Sequence, residues 1–289
     1  MRRPPPTRGQ IRRRRRIALA LLGLAAAAVA YLILSATVLA PADTRGARVA
    51  SLVIHSRVLG GDQEVGVVVP AGADRGRRPL LVFLHGRNES VDTYTEDEAF
   101  FEALAGLGSR APIVAFPAGS ADSYWHDRSE GEWGTFVLDE VIPQVARSFG
   151  ADPRRVAIGG VSMGGFGAYD LALLHPGRFC AVGGHSPALW LRGADTAAGA
   201  FDDAEDFERN DVIGMVRDNP AAFAGIPIWN DAGTDDPFLV SDRAFDGALR
   251  AAGAELSAHV WPGGHEHAYW DRHWAVYLRF YAKALAHCS

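Results

Sequence analysis

Gly160-Val161-Ser162-Met163-Gly164 decides how the rest of the chain is read. Before it, Arg155-Val156-Ala157-Ile158 has the character of a short buried strand. After it, Gly165 to Leu174 can run as a helix. A strand, a tight Gly-x-Ser-x-Gly turn and a helix are the context of a nucleophile elbow. The glycines permit a turn so sharp that side chains would meet neighbouring backbone. Ser162 is then held in a strained conformation with its hydroxyl exposed. With 32 glycines in 289 residues, composition alone produces the pattern with a chance of roughly one in six. The reading therefore rests on finding an acid, a base and an oxyanion hole elsewhere.

The apolar run Ile226 to Asn230 reads as a strand leading into Asp231-Ala232-Gly233-Thr234-Asp235-Asp236-Pro237. A strand ending in Gly-x-x-Asp presents a triad acid, which selects Asp236, with Asp235 second and Asp231 third. Pro237 stiffens the turn behind it. Asp235 or Asp236 could equally cap the helix expected from Val240 to Ala251. The last strand, Leu256 to Val260, ends in Pro262-Gly263-Gly264-His265-Glu266-His267. Paired glycines free the loop to bring an imidazole back over the serine, so His265 is the expected base and His267 the alternate. The pair could instead chelate a metal, but no Cys or third dedicated His accompanies it, so no metal is expected. The order Ser162, Asp236, His265 is that of α/β-hydrolases, unlike those of two unrelated serine protease folds.

Upstream, Pro79 to Leu84 is a continuous apolar run, as in a central parallel strand buried on both faces. It ends in His85-Gly86-Arg87-Asn88. The oxyanion donors expected are the amide after the nucleophile, Met163, and one at the end of this strand, Arg87. Loops at the C-terminal ends of parallel strands are where α/β sheets bind ligands. On that ground His85, Trp125, His126 and His185 are candidates for the substrate cleft. Val49 to Val58 and Val65 to Val69 suggest an antiparallel pair, Glu96 to Leu107 and Thr135 to Phe149 helices, and Ala268 to His287 a closing helix.

The chain ends bound the setting. Arg2, Arg3, Arg8 and Arg12 to Arg16 are eight positive charges with no acid before Asp43. The mostly apolar run 17–40 follows, about 36 Å long as a helix, enough for a bilayer core. The expectation is a basic cytoplasmic segment 1–16, a transmembrane anchor or signal segment 17–40, a linker 41–47 and a catalytic domain 48–289. The arginines place the N-terminus in the cytoplasm and the domain outside. If Ala40-Pro41-Ala42 is a cleavage site, the domain is secreted instead, released after Ala42. Without those eight arginines, 21 basic residues face 34 acidic ones, a poor match for nucleic acid. Cys180 and Cys288 are the only cysteines; they lack metal-ligand spacing and could pair outside the cytoplasm.

Leu84-His85-Gly86, Trp125-His126-Asp127-Arg128, Gly159 to Gly165, Gly233 to Pro237 and Gly263-Gly264-His265 together resemble an esterase family of α/β-hydrolases. That family includes esterase D-like enzymes, bacterial feruloyl and acetyl-xylan esterases, and the antigen 85 mycolyltransferases. The resemblance spans roughly residues 48–286. It implies a mostly parallel sheet with helices on both faces, a Ser nucleophile, a cofactor-free mechanism and carboxylic ester substrates. Those would be small molecules or esters of glycolipids or polysaccharides. The mycolyltransferases carry Glu as triad acid, so Asp236 tilts the reading towards hydrolysis, with acyl transfer to envelope glycolipids as the alternative.

Overall fold

The computed structural model describes residues 22–23, 41–73 and 77–288. The chain divides into units 1–42 and 43–289. The basic segment 1–16 and the apolar segment 17–40 lie outside the described residues, apart from Leu22 and Gly23, which are helical. Among the described residues no helix is long and apolar enough to cross a membrane.

The second unit is built on eight strands. These are β1 (Arg48–Ser56), β2 (Gly61–Val69), β3 (Arg78–Leu84), β4 (Ile113–Pro117), β5 (Ala151–Val161), β6 (Val182–His185), β7 (Ile228–Gly233) and β8 (Leu256–Trp261). Their order in the sheet is β1-β2-β4-β3-β5-β6-β7-β8. β1 pairs antiparallel with β2, and β2 with β4; every other neighbour is parallel. The helices used below are α1 (Glu98–Ala105), α2 (Ile142–Phe149), α3 (Met163–Leu174), α4 (Ala204–Arg209), α5 (Val212–Asp218), α6 (Leu239–Ala251) and α7 (His267–His287). This is the expected α/β architecture.

Strand alternation gives the sheet two apolar faces. Leu80, Val82 and Leu84 of β3 join a core with Val156, Ile158, Val141, Tyr169 and Leu249. Phe83 points the other way, against Tyr94, Phe116 and Trp274 of α7. Both faces are thus covered, which is why the central strands are apolar without a break. The expected helix 135–149 starts at Trp133 and contains a π-helical stretch, Phe136–Val141, before α2. Pro143 sits in the first turn of α2; its missing N–H removes an i to i−4 bond where the winding changes.

Cys180 lies in the turn before β6, Val182–His185. The region 191–219, of weak helical pattern, holds the short helices α4 and α5 capped by Asp203 and Asp211 side chains. Cys180 and Cys288 form a disulfide with Cα atoms 5.7 Å apart. It fastens the end of α7 beside the start of β6.

Candidate active site

β5, β7 and β8 run parallel in the sheet's second half, with β6 between the first two, so the loops after them emerge at one edge. The first of those loops is the elbow. Ser162 has φ 52° and ψ −116°, a backbone state that costs a non-glycine residue about 1–3 kcal/mol. The elbow closes tightly enough that a Cβ on Gly160 would lie 2.5 Å from the Leu84 carbonyl oxygen. One on Gly164 would also run into the Leu84 carbonyl. The glycines are therefore steric requirements of the turn. Its ends are pinned: the Ser162 amide donates to His185 O at 3.0 Å, and Ser162 O accepts from Phe166 and Ala188 amides.

His265 Nε2 lies 2.8 Å from Ser162 Oγ, and His265 Nδ1 lies 2.9 Å from Asp236 Oδ2. The other Asp236 oxygen accepts from the Phe238 amide at 2.8 Å. Burial pushes the Asp236 carboxyl up, but the His265 hydrogen bond and charge, with the Phe238 amide, hold it below its ordinary value. It is thus an anion facing an imidazole whose far nitrogen meets a hydroxyl. The His265 ring is held between Phe238 and Trp270, each 5.3 Å away between centroids.

The rival residues fall elsewhere. Asp235 is exposed, and among the described residues its carboxylate accepts only from its neighbour Thr234. His267 is 58 % exposed in its side chain and faces Glu89. Asp231 is fully buried, accepting from His185 Nδ1, Trp229 Nε1 and the hydroxyls of Tyr269 and Tyr277 at 2.6–2.8 Å. This polar knot ties β6, β7 and α7 together beneath the elbow. Sequence reasoning missed it, because Tyr269 and Tyr277 lie about two turns apart on α7 and look like ordinary packing residues.

Between Gly86 and Glu89, the Gly86 N–H donates to Glu89 Oε2 at 2.7 Å. Asn88 N–H donates to Ala121 O, and Glu89 N–H to Gly86 O. Among the described residues, the Arg87 N–H has no acceptor. Met163 opens α3, so its N–H has no intrahelical partner, and no other acceptor meets it among the described residues. Two amides thus stand unpaired on the loops that flank Ser162. The Arg87 side chain turns away, its Nη2 donating to Ala198 O at 3.2 Å.

The four cleft candidates require correction. His85, Trp125, His126 and His185 are each no more than 1 % exposed, so they support the loops instead of lining a cleft. His85 Nε2 accepts from the Gly119 amide at 2.9 Å, which fixes its proton on Nδ1 for donation to Gly86 O at 2.8 Å. Burial lowers the His85 pKa and keeps the ring neutral. The Trp125 indole donates to His85 O at 3.1 Å. His126 pairs with Asp206 of α4 at 3.1 Å, and His185 spans Asp231 and the Tyr281 hydroxyl. An imidazole in a loop at a strand end looks alike whether it braces or binds; only burial separates the two.

Comparison with known proteins agrees with this architecture. The family model described as "Putative esterase" matches residues 56–281. S-formylglutathione hydrolase of Bos taurus is 26% identical over 250 residues, covering 76% of this chain and 88% of that protein. The MPT51 antigen of Mycobacterium leprae is 31% identical over 162 residues, 54% of this chain and 52% of that protein. A solved ferulic acid esterase superposes with a TM-score of 0.74 at 24% identity, covering 82% of this chain and 98% of its own. The chain belongs to the "Putative esterase" family and is a serine esterase, a carboxylic ester hydrolase.

Proposed function

We propose that this protein is an exported serine ester hydrolase acting through Ser162, His265 and Asp236. The observation that carries the reading is the unbroken chain Ser162 Oγ, His265 Nε2, His265 Nδ1, Asp236 Oδ2, with contacts of 2.8 and 2.9 Å. His265 takes the Ser162 proton as Oγ attacks the ester carbonyl, and Asp236 orients the ring and stabilises its cation. The Met163 and Arg87 amides receive the oxyanion, each worth about 3–4 kcal/mol in comparable sites. His265 then protonates the departing alcohol. Water, deprotonated by the same imidazole, releases the acid and restores Ser162.

Export is supported by the Cys180–Cys288 bridge, since disulfides persist in oxidising compartments. It is also supported by the arginine cluster ahead of the apolar run 17–40. In this reading segment 17–40 anchors the protein in the membrane, with the catalytic domain 48–289 outside; cleavage after Ala42 is the alternative. Substrates are small-molecule esters or esters of envelope glycolipids or polysaccharides.

The test is Ser162→Ala, assayed on p-nitrophenyl esters of increasing chain length. Activity should fall by several orders of magnitude in a protein that still folds; retained turnover would remove Ser162 as the nucleophile. The transferase alternative rests on the family resemblance and uses the same triad. A sugar acceptor added to the assay distinguishes the two, as acylated sugar in place of free acid would favour transfer.

A further inference from the structure

We propose that Glu89 is a positioning residue for the second oxyanion donor, the Arg87 amide; this rests on the reading of Ser162 as nucleophile. An oxyanion donor is useful only if its peptide plane is already fixed when charge develops. The plane that carries the Arg87 N–H is the Gly86–Arg87 peptide. Its carbonyl end is held by His85 Nδ1 at 2.8 Å and by the Glu89 amide at 3.3 Å. The preceding N–H, that of Gly86, is held by the Glu89 carboxylate at 2.7 Å. Glu89 therefore grips the turn twice, once through its backbone and once through its side chain.

The carboxylate is itself anchored. Its Oε2 also accepts from the Tyr94 hydroxyl at 2.5 Å, and its Oε1 lies 3.3 Å from His267 Nε2. Tyr94 is a rigid post: 3 % exposed, stacked on Phe116 and edge-on to Phe83 and Trp274. Burial and the neighbouring Glu89 push the Tyr94 hydroxyl up, so it stays a donor. A charge-assisted bond from a carboxylate to a backbone N–H is shorter and roughly twice as strong as a neutral one. The route runs from the aromatic core through Tyr94 and Glu89 to Gly86, and so to the Arg87 amide. His267 adds a link to the segment that carries His265. Nothing in the triad needs these residues, which leaves their convergence on one peptide as the feature to be explained.

The experiment compares Glu89→Ala, Glu89→Gln, Tyr94→Phe and the Glu89→Ala/Tyr94→Phe pair with wild type on a p-nitrophenyl ester. An interaction realised only in the transition state moves kcat and leaves KM. Glu89→Ala should lower kcat about tenfold, less than the roughly 100- to 1,000-fold loss of a whole donor, with KM within about twofold. Glu89→Gln retains an oxygen to accept from Gly86 and should recover most of that loss. Tyr94→Phe should give a smaller fall in kcat, and the pair no more than Glu89→Ala alone. A purely structural role would lower the melting temperature without moving kcat of the folded enzyme. Wild-type kcat in folded Glu89→Ala, or a loss confined to KM, overturns the proposal. If Glu89→Ala does not fold, wild-type kcat in Tyr94→Phe does so. Ser162→Ala is run alongside: if it stays active the site reading itself fails, whereas an inactive Ser162→Ala beside an unimpaired Glu89→Ala fails only Glu89.

Discussion

Removing the Cys180–Cys288 bridge should cost stability and spare chemistry. The bridge closes a loop with a sequence separation of 108. In the chain-entropy treatment such a loop restricts the unfolded chain by about 4.7 kcal/mol. For a domain of this size each kcal/mol moves Tm by about 2–4 °C, so the expected drop is roughly 10–19 °C. The catalytic loops should be insulated. Cys180 precedes β6, at the edge of the sheet opposite the loops that follow β5, β7 and β8, and Cys288 caps the end of α7 remote from His265. A helix of 21 residues puts about 30 Å between its ends. The assay is thermal unfolding of the purified domain with and without dithiothreitol, and of Cys180→Ser/Cys288→Ser. Hydrolysis of p-nitrophenyl acetate at 25 °C should stay within about twofold of wild type. Titration of the unreduced, denatured protein should find no free thiol. A Tm change below about 2 °C would refute the loop-closure reasoning. A collapse of kcat at 25 °C in a folded variant would refute the separation of bridge from site.

Asp236→Asn should lower kcat by about four orders of magnitude while KM changes little, because the imidazole loses its orienting anion; stopped-flow or endpoint ester assays resolve this. Asp242 of α6 is buried, and among the described residues neither of its carboxylate oxygens has a hydrogen-bond partner; burial, with Asp236, Asp246 and Asp231 nearby, raises its carboxyl well above the ordinary value. The folded state therefore binds more protons than the unfolded one, and stability falls as pH rises from the unfolded value of about 4 towards the folded pKa, by up to about 1.4 kcal/mol per pH unit. Asp242→Asn should remove that slope and raise the urea midpoint at pH 7; an unchanged or lower midpoint would contradict it. Tyr277→Phe deletes one donor to the buried Asp231 carboxylate and should destabilise by about 1.5–3 kcal/mol in urea titrations. No change there would mean that the knot beneath the elbow contributes nothing net.

Much of the site was legible because the chemistry imposes local signatures. The turn around Ser162 must be glycine-flanked, since the Leu84 carbonyl occupies the space of any Cβ on Gly164. Asp236 was selected over Asp235 by its spacing from Gly233, and the structure turns only the former towards His265. The central strands announced themselves by unbroken apolar runs, which two covered sheet faces require. The braces were not legible. Glu89, Tyr94 and His85 converge on one peptide from a loop, a short helix and a strand end, without any periodic relation.

The sequence by itself therefore singled out the proposed reaction centre and determined the fold class. Each depends on residue types at short spacing: a glycine-bound turn, an acid after a strand, a histidine after paired glycines. The tertiary structure alone decided which polar residues support and which are free to react. His85, His126, His185 and Asp231 have the same chemistry as His265 and Asp236, yet they are buried with their side chains bonded to groups other than Ser162 Oγ and His265. Burial and pairing are set by chain segments far apart in sequence; the Cys180–Cys288 and His185–Tyr281 contacts, 108 and 96 residues apart, are of that kind. Local spacing singles out a candidate nucleophile, and long-range packing determines what holds it in place.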